Sequence, residues 1–191
     1  MFREYIRPAV LSLFILTIIT GIIYPLFITG IAQALFPGQA NGSLICRGGK
    51  IAGSLFIGQQ FDDPKYLWGR ISATTPQYNA SSSSGSNIGP SNPALIDEIK
   101  GRVKALKDAD PDNTNPIPVD LVTSSASGLD PHISLAAAYY QTHRISRKRG
   151  LPESVIKEMI RKNTSGRFMG LLGEPVVNVL KVNLDLDSRE K

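Results

Sequence analysis

The sequence is poor in the residues that build disulfides and metal centres. Its 191 residues include a single cysteine, Cys46, and only two histidines, His132 and His143. One cysteine leaves no intrachain disulfide to form. A structural zinc site takes four ligands, mostly cysteines and histidines, and these three residues cannot supply them. We therefore expect no metal site and no intrinsic cofactor.

The sequence also lacks the glycine-rich motifs that bind nucleotides. It contains neither the phosphate loop G-x-x-x-x-G-K-[ST] nor the dinucleotide turn G-x-G-x-x-G. The stretch "SASGLDPHIS" resembles the start of a hydrolase site, but Ser127, Asp130 and His132 lie too close along one turn. The members of a Ser-His-Asp triad converge from different elements. We therefore expect no catalytic residue in this chain.

Charge is missing from one long stretch near the N-terminus. No residue between Arg7 and Arg47 is charged, and "PAVLSLFILTIITGIIYPLFITGIAQALF" supplies nearly thirty mostly apolar positions. About 20 such residues cross a bilayer core of about 30 Å. The run therefore predicts a transmembrane helix over residues 9–35, with residues 1–8 as a short N-terminal segment before it.

A cleaved signal peptide is the alternative interpretation of this run. The triplet Ala32-Gln33-Ala34 fits the small-x-small pattern of a cleavage site. However, the apolar region of a signal peptide is typically about 7–15 residues, and this run is far longer. The length favours a retained anchor. A lipid anchor on Cys46 is excluded, because Ile45 stands where a lipobox has a small residue.

The charges around the predicted helix indicate its orientation. Arg3 and Arg7 flank its N-terminal end closely, whereas Arg47 and Lys50 lie more than ten residues beyond the other end. The positive-inside rule therefore predicts a cytoplasmic N-terminus, and it places the domain formed by residues 36–191 on the extracytoplasmic side.

Three residues of the predicted helix suit contact with a membrane partner. Thr17 and Gly21 are four positions apart, so they share a face and allow a neighbouring backbone to approach closely. Pro25 removes one backbone hydrogen bond and can bend the helix. Because such residues are also simply common in membrane helices, contact with lipid alone is the alternative.

The remaining residues predict one mixed α+β domain. The stretch "SLICRGGKIAGSLFIGQQF" indicates two short strands around a turn at Arg47–Lys50. Residues 71–93 are rich in Ser, Asn, Gly and Pro and have no apolar period, so they form a loop. This loop is either a flexible linker or an ordered docking loop. Its candidate partner contacts are Tyr78, Asn79, Ser86, Asn87, Ser91 and Asn92.

Capping residues predict where the helices of the domain begin and end. Asn92 directly precedes Pro93, which is typical of an N-cap followed by the first helical position. Asp130 directly precedes Pro131 in the same way, and it therefore predicts the N-cap of a second helix. Gly150 is a natural C-terminal stop for that helix.

Further elements follow from apolar spacing and from charge. A third helix is predicted to begin at Pro152, and short strands are predicted over residues 120–124 and 177–186. From His143 to Arg167 there are eight basic and two acidic residues. Anionic headgroups or an acidic partner suit such a patch outside a membrane, whereas nucleic acid does not. A solvated helix face is the alternative.

Several long stretches resemble one known family over almost the full length of the chain. The chain closely resembles the C subunit of the Kdp potassium-transporting P-type ATPase of bacteria and archaea. Two departures are small: extra serines extend a glycine-rich motif, and Ile71 stands where the family has proline. The matching stretches are "IYPL", "QANGSLI" (39–45), "GSLFIGQQF" (53–61), "GRISAT" (69–74), "YNASSSSGSNIGPSNP" (78–93), "DLVTSSASGLDPHIS" (120–134), "RKRGL" and "LGEPVVNVLKVNLDLD" (172–187).

The resemblance implies a role inside a transport complex. A channel-like subunit takes up potassium, a P-type ATPase subunit hydrolyses ATP, and a very small helical subunit completes the assembly. The C subunit implied here is a non-catalytic, single-pass accessory subunit of the cell (inner) membrane. It is needed for assembly and activity, and it is described as a catalytic chaperone that raises the ATP affinity of the ATPase subunit. ATP and K⁺ are reached only through the complex.

The predicted topology conflicts with direct contact between this domain and ATP. A domain outside the membrane cannot touch cytoplasmic nucleotide, so we expect an effect on ATP affinity to travel as conformational coupling. Direct contact, as the alternative, has the polar candidates Gln59, Gln60 and Gln141. A different function remains open from the sequence: a membrane-anchored extracytoplasmic binding module or hydrolase unrelated to transport.

Overall fold

A computed structural model of the protein describes residues 2–189. The chain divides into two compact units, Met1–Leu44 and Ile45–Lys191. The first unit is helical. The second mixes helices with short strands, as the sequence predicts for an α+β domain.

The first unit is dominated by one long apolar helix. Helix α1 (Phe2–Ile18) runs through a π-helical turn (Ile19–Ile23) into helix α2 (Tyr24–Leu35). Among residues 2–189 this is the one helix that is long and apolar enough to cross a membrane. It begins several residues before the predicted start at position 9, so most of the predicted N-terminal segment is helical. A short helix, α3 (Pro37–Ala40), follows.

A two-stranded hairpin opens the domain. Strand β1 (Leu44–Arg47) pairs with β2 (Lys50–Ser54), which confirms the predicted strands. The two residues between them, Gly48 and Gly49, have φ angles of 58° and 76°. A two-residue hairpin turn of this hand requires positive φ at both positions, which glycine adopts without steric cost.

The domain also contains a three-stranded antiparallel sheet. Its strands are β3 (His132–Ser134), β4 (Thr164–Ser165) and β5 (Val176–Asn178), in the order β3-β5-β4. Ile133 pairs with Val177 in the middle of this sheet, and both are buried. Because its strands are only two or three residues long, this sheet needs helices packed against it to form a hydrophobic core.

Five helices accompany the sheet, and their apolar sides form one core. They are α4 (Pro93–Ala109), α5 (Leu135–Tyr140), α6 (Thr142–Arg149), α7 (Glu153–Lys162) and α8 (Val179–Asp187). The predicted caps at Asn92 and Gly150 are confirmed: the Asn92 side chain accepts from the amide of Ala94, and Gly150 has a φ of 63°. The most deeply buried apolar residues include Leu67, Leu106, Leu121, Ile133, Ala137, Ile145, Ile156, Ile160, Val177, Val182 and Leu186.

The prediction that Asp130 caps a helix is wrong. Residues 132–134 form strand β3 instead, and helix α5 begins only at Leu135. The N-cap is Ser134, whose hydroxyl accepts from the amide of Ala137 at 3.0 Å. Asp130 makes a local turn by accepting from the amide of His132 at 3.0 Å. Burial of Ile133 in the sheet holds the chain extended past Pro131, and this delays the helix.

The predicted strand over residues 177–186 is wrong for most of its length. Only Val176–Asn178 is extended, and Asn178 then caps α8 by accepting from the amide of Lys181. The apolar residues alternate in this stretch, but the buried positions Val179, Val182 and Leu186 recur at helical spacing. The polar Asn183 is also buried on this side of the helix. A pattern based only on apolar residues misses it and therefore looks like the alternation of a strand.

Three further predictions also need correction. The stretch 120–124 is not a strand: Val119–Leu121 is a single 3₁₀ turn, and Leu121 is fully buried. The helix that was predicted to run to Gly150 is broken at Gln141, between α5 and α6. The third helix begins at Glu153, with Pro152 as its N-cap, so its predicted start is off by one residue.

The Ser134 cap makes a stability prediction. Replacing Ser134 by alanine removes the acceptor for the Ala137 amide, so we expect the free energy of unfolding to fall by about 1 kcal/mol. The matched control is Ser154→Ala, an exposed position in the first turn of α7 where alanine is a good helix former. Denaturant unfolding in detergent measures both. Equal stability of the two variants would contradict the assignment.

Candidate functional site

The segment Pro64–Arg70 has no regular secondary structure, yet each of its backbone carbonyls accepts a hydrogen bond from a side chain. The Gln141 side chain accepts from the amide of Trp68 at 2.9 Å and donates to its carbonyl at 3.1 Å. The Asn183 side chain does the same for Leu67, at 2.8 and 3.0 Å. The buried side-chain amides of Gln141 and Asn183 thus form the hydrogen bonds that a neighbouring strand would otherwise make with this segment.

Two arginines reinforce the same segment. The guanidinium of Arg144 lies 4.3 Å from the centroid of the Trp68 ring and donates to the carbonyl of Tyr66 at 3.0 Å. That of Arg102 lies 5.1 Å from the same ring and donates to the carbonyl of Gly69 at 2.8 Å. Burial lowers the pKa of Arg144 to about 10. Both cations therefore hold the domain together and are not free to bind a ligand.

The basic stretch 143–167 is largely neutralised within the domain. The side chain of Arg149 is only 2% exposed, donates to Asp187 at 2.9 Å, and lies 4.8 Å from the centre of the Tyr66 ring. Five of its exposed cations form ion pairs with neighbouring carboxylates, which lowers the charge available to an anionic surface. These pairs are Arg147–Asp112, Lys157–Glu153, Arg161–Glu158, Lys162–Asp185 and Arg167–Glu174.

The loop 71–93 packs against residues 124–130 of its own domain. The buried Ser72 hydroxyl donates to the carbonyl of Gly128 at 2.6 Å, and the amide of Ser84 donates to the carbonyl of Ser127 at 3.0 Å. A methyl group on Gly128 would lie 2.7 Å from loop atoms, so the contact depends on that glycine. The loop is part of the folded domain, as the ordered alternative expects.

Tyr78 fixes the start of this loop from inside. Its hydroxyl donates to the carbonyl of Arg70 at 2.6 Å, and its amide donates to the Ser72 hydroxyl at 2.9 Å. A Cβ atom on Gly58 would lie 2.4 Å from the Tyr78 ring, and one on Gly69 would lie 2.7 Å from its hydroxyl. Burial raises the pKa of Tyr78 to about 12. The side chain is thus engaged within the domain.

The other partner-contact candidates of the loop lie at its outer side. Asn87, Ser91 and Asn92 are exposed, whereas Asn79 and Ser86 are half-buried. Ser86 accepts a hydrogen bond from Ser124, and Asn79 accepts from Ser81. Thr17, Gly21 and Pro25 all lie on the apolar helix, where Thr17 donates to the carbonyl of Leu13. Contact of these residues with a partner stays a prediction.

Asp130 belongs to a charged group at the edge of a shallow cavity of about 510 Å³. Its carboxylate lies 3.4 Å from Arg70 and 3.5 Å from the Nδ1 atom of His132. Burial alone would raise the pKa of Asp130, but hydrogen bonds from His132 and the charge of Arg70 outweigh it and lower that pKa. The hydroxyl of Ser127 accepts from the amide of Leu129. These residues organise a turn.

The three glutamine candidates for nucleotide contact occupy different environments. Gln141 is 1% exposed and all its bonds are internal. Gln59 donates to the carbonyl of Ala52 at 2.8 Å, and Gln60 donates to Asp62. Within residues 2–189, no group of three or more His, Cys, Asp or Glu side chains is placed to hold a metal ion.

Sequence reasoning missed two features of the domain. The first is the contact between the Arg144 guanidinium and the Trp68 ring, for which a lone tryptophan followed by Gly-Arg was the only signal in the sequence. The second feature lies beside Gly170, close to the C-terminal end of the domain. The structure shows there a tight hairpin, residues 168–172, whose four large side chains are exposed. We name this segment the apolar hairpin.

The role of Gln141 is testable by stability. We expect Gln141→Ala to lower the free energy of unfolding by about 3 kcal/mol, because it leaves the buried amide and carbonyl of Trp68 without partners. Gln77→Ala is the matched control, since that side chain is exposed. Thermal unfolding in detergent compares the two. A Gln141→Ala chain as stable as the control would refute the structural role.

Comparison with known proteins places both units in one family. The family model described as K⁺-transporting ATPase, c chain, matches residues 6–188. The chain is 58% identical over 186 residues to the potassium-transporting ATPase KdpC subunit of Methylococcus capsulatus, covering 97% of this chain and 98% of that protein.

Two further relatives carry the same name. Identity to the subunit of Polaromonas naphthalenivorans is 57%, over 97% of this chain and 95% of that protein. Identity to the subunit of Dechloromonas aromatica is 58%, over 99% and 100%. The chain therefore belongs to the KdpC family, the c chains of K⁺-transporting ATPases.

Proposed function

We propose that the chain is a non-catalytic accessory subunit of a high-affinity, ATP-driven potassium uptake complex. The observation that carries this proposal is the family match over residues 6–188, which includes both the apolar helix and the domain. A c chain implies further chains of the same ATPase. The resemblance implies that these are a channel-like potassium-binding subunit, a P-type ATPase subunit and a small helical subunit.

The proposed placement is a retained single-pass anchor with the domain on the extracytoplasmic side. The 33-residue apolar helix supports retention, because it is much longer than the apolar region of a signal peptide. Arg3 and Arg7 at its N-terminal end support a cytoplasmic N-terminus. On this side of the membrane the domain meets neighbouring subunits and cannot reach cytoplasmic ATP.

The proposed mechanism is conformational coupling. A subunit shifts the conformational equilibrium of its neighbours only by binding one of their states more tightly than another. A rigid binding surface serves this purpose, and the segment 64–70, held by Gln141, Asn183, Arg102 and Arg144, supplies rigidity at the centre of the domain. Stabilising the nucleotide-binding state in this way raises ATP affinity without contact with ATP.

Enzyme kinetics test this mechanism. Coupling of about 1–3 kcal/mol corresponds to about a 5- to 150-fold change in affinity. We therefore expect the complex purified without this chain to require that much more ATP for half-maximal potassium-stimulated hydrolysis. Adding the purified chain back should restore the affinity. The proposal fails if the tagged chain recovers no other ATPase subunit in mild detergent, or if it hydrolyses an ester or peptide substrate alone.

Thiol labelling tests the sidedness. Cys46 is the chain's single cysteine and is exposed in the domain. We expect a membrane-impermeant maleimide to label it in intact spheroplasts. In the control, Tyr5→Cys combined with Cys46→Ser moves the thiol to the other end of the apolar helix, where Tyr5 is 72% exposed. That thiol should react only after permeabilisation. The reverse pattern would place the domain inside the cell.

A further inference from the structure

The apolar hairpin is the most concentrated exposed apolar feature of the domain. Phe168 and Leu172 are 68% and 65% exposed, and Met169 and Leu171 are each 82% exposed. Four large apolar side chains thus stand in the open within five consecutive residues. Contiguous exposed patches of roughly 300–600 Å² are the largest that typical monomers show, and they commonly mark interaction sites.

The hairpin is held rigid by its own bonds. The amide of Phe168 donates to the carbonyl of Leu172 at 2.8 Å, and the reverse bond measures 3.0 Å. At its base, Arg167 donates to both oxygens of Glu174 at 2.8 and 2.9 Å. A segment that is already ordered loses little conformational freedom on binding, so its apolar area is available for affinity.

The tip of the hairpin places a bulky side chain in a backbone conformation that favours glycine or asparagine. Met169 has a φ of 52°, and Gly170 beside it has a φ of 76°. Positive φ is uncommon and unfavourable for a bulky residue, and glycine or asparagine would form the same turn more easily. The turn geometry therefore does not account for a methionine at this position, and its side chain is 82% exposed.

We propose that the apolar hairpin inserts into an apolar pocket on another protein subunit of the same potassium-transporting ATPase. This inference rests on the proposed function, which requires such subunits. The pocket is lined by aliphatic and aromatic side chains, and a polar rim meets the Arg167–Glu174 pair. Phe and Met are enriched at the centres of protein interfaces, where a few deeply inserted side chains carry most of the affinity.

The charges around the hairpin favour a protein pocket over a lipid surface. Loops that bind anionic bilayers combine apolar side chains with unpaired basic residues. Here Arg167 is paired with Glu174, and on the preceding helix Arg161 is paired with Glu158 and Lys162 with Asp185. An anionic bilayer would gain little from cations that are already neutralised. A neutral, rigid, apolar tip matches a shaped protein pocket.

A single fluorescent label distinguishes the two surroundings. Because Cys46 is the chain's only cysteine, Met169→Cys in a Cys46→Ser background accepts one environment-sensitive dye at the tip. We expect its emission to shift to the blue in the assembled ATPase, but not in the full chain alone reconstituted into bilayers of anionic and zwitterionic lipid. The matched control is Val119→Cys in the same background, at a residue 71% exposed elsewhere on the domain; its emission should stay unchanged in both.

Each other outcome of the labelling overturns the proposal. A blue shift at position 169 in bilayers without other subunits means that lipid is the occupant. No shift in either preparation means that the hairpin stays in water. Co-purification of the wild-type chain is measured in parallel: if it recovers no ATPase subunit, the proposed function itself has failed. If it does recover them while position 169 remains in water, only the hairpin inference has failed.

A binding measurement checks the energetic part. Met169→Ser combined with Leu171→Ser removes the two most exposed apolar side chains without touching the paired backbone of Phe168 and Leu172. We expect the affinity for the other subunits to fall by about tenfold or more, as for hot-spot residues. Thermal unfolding should be unchanged, and Val119→Ser should bind as the wild type does. Wild-type affinity of the double variant would overturn the proposal.

Discussion

The domain depends on how the irregular segment 64–70 forms the hydrogen bonds of its backbone. Residues 64–70 cross the core without a helix or a strand partner, and an unpaired buried amide or carbonyl is costly. Gln141 and Asn183, from two separate helical regions, each bond both backbone groups of one residue. Helices α4, α6 and α8 therefore assemble around this segment, and the loop at 71–93 begins directly from its end.

The same constraint explains the electrostatics of a chain with a formal charge of +5. A basic stretch of sequence looks like a surface for anions, but Arg144 and Arg149 point inward to carbonyls and aromatic rings of residues 64–68. Most of the exposed cations of residues 143–167 form ion pairs with carboxylates. The two most distinctive features of the domain surface are therefore the apolar hairpin and the loop 71–93 with its small polar residues, and not a charged patch.

Short sequence patterns predicted the features that depend on neighbouring residues. They did not predict the features that depend on contacts between residues far apart in the sequence. The apolar helix, the hairpin at Gly48-Gly49 and the cap at Asn92 follow from short patterns, and they are confirmed. Asp130 failed as a cap because Ile133 pairs with a strand 44 residues later, at Val177. The contacts around residues 64–70 could not be predicted for the same reason. Gln141 bonds Trp68 across 73 residues and Asn183 bonds Leu67 across 116, and no sequence motif indicates either pair. Contacts with other subunits remain predictions for the same reason.

The π-helical turn at Ile19–Ile23 bears on how the apolar helix meets its surroundings. Such a turn holds one more residue than an α-helical turn, so the side-chain pattern beyond it is displaced by one position, about 100° around the axis. A row of side chains that shares one face of α1 therefore does not continue along the same face of α2. A single span can then show one side to one neighbour near its start and a different side to a second neighbour near its end.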